Sequence, residues 1–221
     1  MRFEQESFNS GSEVFREEFN SLLSEVESAI SDSEYQVKHT FQKGREKELI
    51  FDPIGTNRAL REKFSEHGWA TEVNLDSPGY DKGKDIDIAK NGVAGEIQFG
   101  NFAYLDADCN RLRRLYDGRL ELEGGGGIQA GVIIVVKQEM PTSQSVSHFQ
   151  QATQRAAPTA LVNRFTCPEC GAEVDTGIPS LIFGIEAPRL GDEVVFNTYE
   201  SQRSRTLVSH ERISFKEKYY Q

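Results

Sequence analysis

Asp87 and Glu96 are the two residues of this chain whose type and spacing most directly suggest chemistry. They lie in GKDIDIAKNGVAGEIQF, residues 83–99. There Asn91-Gly92 favours a two-residue type I′ hairpin turn, because both residues tolerate positive φ. With that turn as pivot, Lys90 faces Val93, Ile88 faces Gly95 and Asp87 faces Glu96, while Gln98 follows on the same face. Directly opposed side chains have Cβ atoms roughly 5 Å apart, and like charges so placed repel. Two readings remain: a solvated acidic hairpin, or carboxylates that share a hard divalent cation with oxygen ligands. Strand alternation predicts Ile86, Ile88, Ile97 and Phe99 on an apolar face, with Asp85, Asp87, Glu96 and Gln98 on the other. Such a cluster suits Mg²⁺, which prefers carboxylates, waters and substrate phosphate. The chemistry would be phosphodiester hydrolysis, with an acidified bound water and a stabilised phosphoryl oxygen.

The surrounding elements must hold that hairpin. Phe15, Phe19, Leu22, Leu23, Val26 and Ile30 form one stripe of an amphipathic helix from Ser12 to about Ile30, its glutamates lying elsewhere on a solvated or partner-facing side. Strand-like pieces follow at Tyr35–Phe41 and Leu49–Phe51, and Thr56 is a candidate cap for a helix that stops at Gly68. Trp69–Leu75 is strand-like, and residues 76–82 form a loop into the hairpin. Asn101 can cap a helix running to about Tyr116. A glycine-rich loop at 124–127 precedes Ala130–Lys137, a continuous apolar run that reads as a strand buried on both faces. After a polar loop at 141–147 come a helix to about Arg155 and a second buried strand at Ser180–Glu186. Strands and helices alternate around a mostly buried sheet, so the expected class is α/β. The expected organisation is one domain over residues 1–221: an N-terminal helix and strand (1–45), a catalytic core (46–160) and a C-terminal portion (161–221).

Bulk composition restricts the function classes. At 221 residues with 37% hydrophobic and 27% charged residues, the chain reads as an ordinary soluble domain. Its longest apolar run is too short to span a bilayer. The acidic and polar residues after Met1 do not form a secretory h-region, and three cysteines are no disulfide framework, so a cytoplasmic location is expected. The net charge of −10 is unevenly spread: residues 1–34 hold nine acids and two bases. Basic residues gather at Arg111, Arg113, Arg114 and Arg119, and again at Arg203, Arg205, Arg212, Lys216 and Lys218. A nucleic-acid partner, whose phosphates would be bound by Lys and Arg, is therefore not excluded. Arg111, Arg113 and Arg114 have a second reading as ion-pair partners across a dimer interface.

The pattern D-x8-E-x-Q on a hairpin, with a helix after it, resembles the nuclease core of type II restriction endonucleases. LIFDPIGTN (Leu49–Asn57), GKDIDIAK, GEIQFGN (Gly95–Asn101) and Ser204-Arg205-Thr206 resemble, in order and spacing, the branch typified by BglII, BamHI and BstYI. The general nuclease pattern ends in lysine, whereas the BglII type carries glutamine, as Gln98 does here. The resemblance implies a restriction-endonuclease-like core, a central mixed sheet flanked by helices with a small β-rich C-terminal subdomain. It implies a Mg²⁺-dependent homodimer that cuts both strands of a short palindrome, centred on GATC, beside a cognate DNA methyltransferase. Asp87 and Glu96 would be metal ligands, Asp85 a supporting acid, and Gln98 would orient the attacking water. An amide cannot act as a general base, so the metal and neighbouring phosphate oxygens would have to activate that water. Asn101, Gln144, Ser145, Arg203 and Arg205 would contact DNA. Asn101 suits adenine, whose N6 and N7 pair with an amide, and it equally suits the helix cap.

Cys167-Pro168-Glu169-Cys170 falls outside that resemblance. It reads as half of a zinc ribbon, completed by Cys109, His148, His210 or a symmetry-related pair, or as a knuckle-shaped turn without metal. Two alternative functions keep the same fold: a DNA-binding protein that has lost catalysis, and a repair nuclease selecting branched DNA.

Overall fold

The computed structural model describes residues 1–46, 48–75, 85–123, 126–142, 146–166, 173–201 and 204–216. Gln144, Ser145, Arg203, Cys167 and Cys170 lie outside the described residues, as do the loop at 76–84 and the expected zinc half-site.

A six-stranded mixed sheet carries the hairpin. Its order is β1 (Phe3–Phe8), β10 (Ser180–Ile185), β7 (Ala130–Val136), β6 (Val93–Ile97), β5 (Ile86–Lys90) and β4 (Ala70–Val73). The central strands β10, β7 and β6 run parallel, and the antiparallel pairs lie at the two sides. On β7, Ala130, Val132, Ile134 and Val136 enter one core while Ile133 and Val135 enter another. Period-two alternation with both faces apolar marks a strand covered on both sides. The first core is closed by α1 (Gly11–Glu18), α2 (Asn20–Ser31) and α3 (Pro53–Glu66), through Phe15, Val26, Ile30, Leu60 and Phe64. The second is closed by α4 (Phe102–Tyr116) and by a helical segment made of α5 (Phe149–Gln151), a π-helical turn (Ala152–Ala156) and α6 (Ala157–Ala160). This is the α/β class that the alternation of elements predicts.

A second sheet has the order β12 (Leu207–Ser214), β11 (Glu193–Tyr199), β2 (Tyr35–His39) and β3 (Leu49–Phe51). The C-terminal ribbon β11–β12 thus joins strands from the N-terminal part of the chain, with β11 parallel to β2. Buried Asp52 fastens that junction to the start of α3. It accepts hydrogen bonds from Tyr199 Oη at 2.6 Å and Asn197 Nδ2 at 2.8 Å, and pairs with Lys38 Nζ at 3.1 Å. A separate hairpin, β8 (Val162–Thr166) and β9 (Glu173–Gly177), completes the strands.

Three expectations change. The first amphipathic stretch is two helices, broken where Phe19 leaves helical geometry (φ −126°, ψ 29°) while its ring stays in the core beside Phe15. Helix α3 begins at Pro53 rather than after Thr56; proline fits a first helical position because its missing N–H has no partner to lose there. Asp52 occupies the cap position, but its side chain makes no capping bond because Tyr199 and Asn197 engage it. The third change concerns the hairpin's faces. Ile88, Ile97 and Phe99 do share the first core, but Ile86 packs in the second with Ala89 and Ala94. The strand rolls over at Asp87.

Candidate active site

The Asn91-Gly92 turn has φ of 46° and 85°, and the ladder pairs Lys90 with Val93, Ala89 with Ala94 and Ile88 with Gly95. The pairing predicted from the turn therefore holds as far as Ile88 and Gly95, and the next predicted pair, Asp87 with Glu96, is not part of the ladder. On the other side, β4 pairs Thr71 with Ile88 and Val73 with Ile86, skipping Glu72 and Asp87. Glu72 sits there at φ 53°, a left-handed conformation that is uncommon for a residue with a side chain. Asp87 is thus released from both ladders, and its side chain replaces part of the missing one. Its Oδ2 accepts the backbone N–H of Ile97 at 2.8 Å.

The two carboxylates turn toward different arginines. Asp87 Oδ1 takes a hydrogen bond from Arg61 of α3, whose other terminal nitrogen bonds Glu72. Glu96, only 2% exposed, is ion-paired with Arg111 of α4. Arg111 also reaches Asp108 Oδ1 at 2.8 Å and the carbonyl of Asp85 at 3.3 Å. Burial pushes the Glu96 carboxyl well above the ordinary carboxylate range; Asp108 and Asp87 push the same way and Arg111 opposes them. Burial also raises Asp108, against the hydrogen bond from Gln98 and the charge of Arg111. Gln98 is held at both ends of its amide. Its Nε2 donates to Asp108, and its Oε1 accepts the Gly100 N–H at 2.7 Å.

Asp87 and Gln98 open into a cleft of about 890 Å³ whose wall includes Asn57, Arg58, Arg61, Glu72 and Arg205. Glu96 is buried and is not among the residues lining it. Asp85 contributes a backbone oxygen to Arg111, and among the described residues no three His, Cys, Asp or Glu side chains form a ready metal cage. Arg205, from the connection between β11 and β12, is brought to the same cleft as Asp87 from far along the chain. Asn101 is exposed and caps α4, its Oδ1 accepting the Ala103 N–H at 2.8 Å. Of the residues offered for a zinc site, Cys109 is fully buried in the second core, with its thiol pushed up by that burial.

A model of the restriction endonuclease BglII/BglIII family matches residues 3–169, most of the chain. The chain belongs to that family. Among relatives of the BglII/BglIII family, the type II restriction enzyme BglII of Bacillus subtilis is 24% identical over 217 residues, covering 98% of this chain and 91% of that protein. A crystal structure of BglII complexed with a DNA 16-mer superposes with a TM-score of 0.78 at 22% identity, covering 98% of this chain and 91% of that one. Free BglII gives 0.67, also at 22% identity, covering 98% and 95%. As a BglII-like type II restriction endonuclease, the chain is a site-specific deoxyribonuclease.

Arg61 and Asp108 escaped the sequence reading, and Arg111 entered it only as a basic residue or interface partner. Asp108 and Arg111 stand three apart on one helix, a spacing that brings side chains together, so their pairing was findable. That both would meet Glu96 and Gln98 depends on how α4 docks. Arg113, another candidate for an interface pair, bonds within the chain to Asp117 at 3.3 Å and to the Ala160 carbonyl at 3.1 Å.

Proposed function

We propose that this BglII-like endonuclease is a Mg²⁺-dependent homodimer that binds double-stranded DNA and cuts both strands of a short palindrome, with GATC as its centre. One observation carries the reading: Asp87 and Gln98 line a cleft together with Arg58 and Arg205, so hard oxygen donors and cations of the kind that bind phosphate share one opening. Protein two-fold symmetry would match the symmetry of a palindrome. A companion methyltransferase would protect the host's own copies of the site.

The donor set fits the metal. Asp87 and Glu96 are hard oxygen donors on neighbouring strands, and each is matched to a guanidinium, so both positions call for positive charge. Asp87 keeps Oδ2 on the Ile97 N–H and turns Oδ1 outward. Bound Mg²⁺ would supply an acidified water and charge stabilisation at the phosphoryl oxygen. Gln98 would orient the attacking water through the second lone pair of Oε1, since the first accepts from Gly100. It takes no proton. Asp85 supports the hairpin through its backbone. Asn101, Gln144 and Ser145 would read bases, and Arg203 and Arg205 would approach the backbone.

Digestion of plasmid DNA with Mg²⁺, followed by sequencing of the fragment ends, tests this directly. Discrete fragments with one palindrome at every end are expected. Binding without cutting would indicate lost catalysis, and cutting confined to branched substrates would indicate a repair nuclease. Sedimentation of the free protein tests the dimer.

A further inference from the structure

Asp87 is neutralised in a particular way. Arg61 grips it with one terminal nitrogen and Glu72 with the other, so a single guanidinium spans two carboxylates on adjacent strands. The two acids differ in setting. The Asp87 side chain is 18% exposed and anchored through its second oxygen to Ile97, whereas the Glu72 side chain is 63% exposed. Glu72 is also where β4 adopts a left-handed residue and the ladder skips a pair. That departure places an acid next to Asp87 that takes no part in the hairpin and lines the same cleft.

We propose that Arg61 is a displaceable counter-ion of Asp87, retained by Glu72 when a divalent cation claims the Asp87 oxygen. This rests on the metal reading above and extends it to a residue pair outside the D-x8-E-x-Q pattern. A cation and a guanidinium compete for Asp87 Oδ1, because the other oxygen is committed to the backbone. Arg61 can yield that oxygen without losing all its charge partners, since Glu72 holds its other end. A surface-side ion pair of this kind is modest in strength, so it keeps Asp87 compensated without closing the site. Arg111 does not have this arrangement. Its partners Glu96 and Asp108 are both buried, and it links the sheet to α4.

The test is Mn²⁺ binding to the full-length protein without DNA, measured by titration calorimetry and by water-proton relaxation into the millimolar range. Arg61→Gln should tighten Mn²⁺ binding roughly fivefold. Glu72→Gln should weaken it, because Arg61 then has Asp87 as its only acid in this bridge. The weakening should vanish in the Arg61→Gln/Glu72→Gln double variant. Mn²⁺ binding no tighter in Arg61→Gln than in wild type, including no binding to either, overturns the proposal. So does an unchanged Glu72→Gln effect in the double variant, which would reduce Glu72 to a distant charge. Asp87→Asn separates the two levels. If it abolishes Mn²⁺ binding while Arg61→Gln changes nothing, the counter-ion role fails alone; if it binds Mn²⁺ like wild type, the metal reading fails with it.

Discussion

Asp87 Oδ2 accepts the backbone N–H of Ile97 at 2.8 Å, so the acid of one strand completes the hydrogen bonding of the other at the point where their ladder ends. The bond gives Asp87 two functions that substitution can separate. Asp87→Asn keeps an acceptor for Ile97 and removes the charge, so the protein should fold with little loss while cleavage falls about a hundredfold or more. Asp87→Ala and Glu96→Ala should likewise abolish cleavage with DNA binding largely intact, and Asp85→Ala should still cut. Gel shifts paired with plasmid digestion check all four. An inactive Asp85→Ala beside an active Asp87→Ala would reassign the ligand.

Glu96 should cost the fold stability in proportion to its charge. Its folded carboxyl titrates above the unfolded one because burial disfavours ionisation. The raised value favours the protonated form, so the contribution is most favourable at low pH. It is lost as pH rises from the unfolded value, roughly 4.3, through the folded one. The stability of Glu96→Gln relative to wild type should therefore be more favourable at pH 8 than at pH 5. Calorimetry with a chelator present measures the gap at the two pH values. A gap independent of pH would show that burial of the charge is not the cause.

Asp108 should act on catalysis through Gln98. It holds the amide nitrogen of Gln98 and one arm of Arg111. Asp108→Ala removes one of the contacts that hold each, and kcat should fall about tenfold, the scale seen when residues supporting a metal site are removed. KM for DNA should hardly move. Asp108→Asn, which retains one of the two acceptor oxygens, should recover part of the loss. Steady-state cleavage of an oligonucleotide duplex separates the two constants, and a change confined to KM would place Asp108 in binding instead.

Arg205 stands exposed at the cleft rim and should contact phosphate rather than a base. Arg205→Ala should weaken binding similarly for cognate and unrelated duplexes and reduce the salt slope of the binding constant by about 1. Titrations at several salt concentrations measure the slope. Loss confined to the cognate duplex would make Arg205 a base reader.

Asp52 couples the C-terminal ribbon to α3, the helix that carries Arg58 and Arg61. Removing it leaves Lys38 without its buried acid and strips acceptors from Tyr199 and Asn197. Asp52→Ala should destabilise the protein by about 3–5 kcal/mol, read from urea unfolding. A loss under about 1 kcal/mol, the size of a surface pair, would show that the network is dispensable.

What the sequence determined by itself is local. Asn91-Gly92 set the hairpin and its first pairings because turn geometry depends on adjacent residues. The apolar run at 130–136 announced the central strand, and Asn101 announced the start of α4. The shared spacing of four short motifs pointed to the family. Tertiary structure decided which way the acids face. Alternation alone put Ile86 with Ile88 and all four polar side chains around one point, but Asp87 leaves both ladders and the strand rolls over there. It also decided what neutralises each acid. Arg61 and Arg111 lie 26 and 15 positions from their carboxylates, on helices docked against opposite faces of the sheet. No periodicity within a strand or helix encodes that docking, because it depends on how the two cores pack.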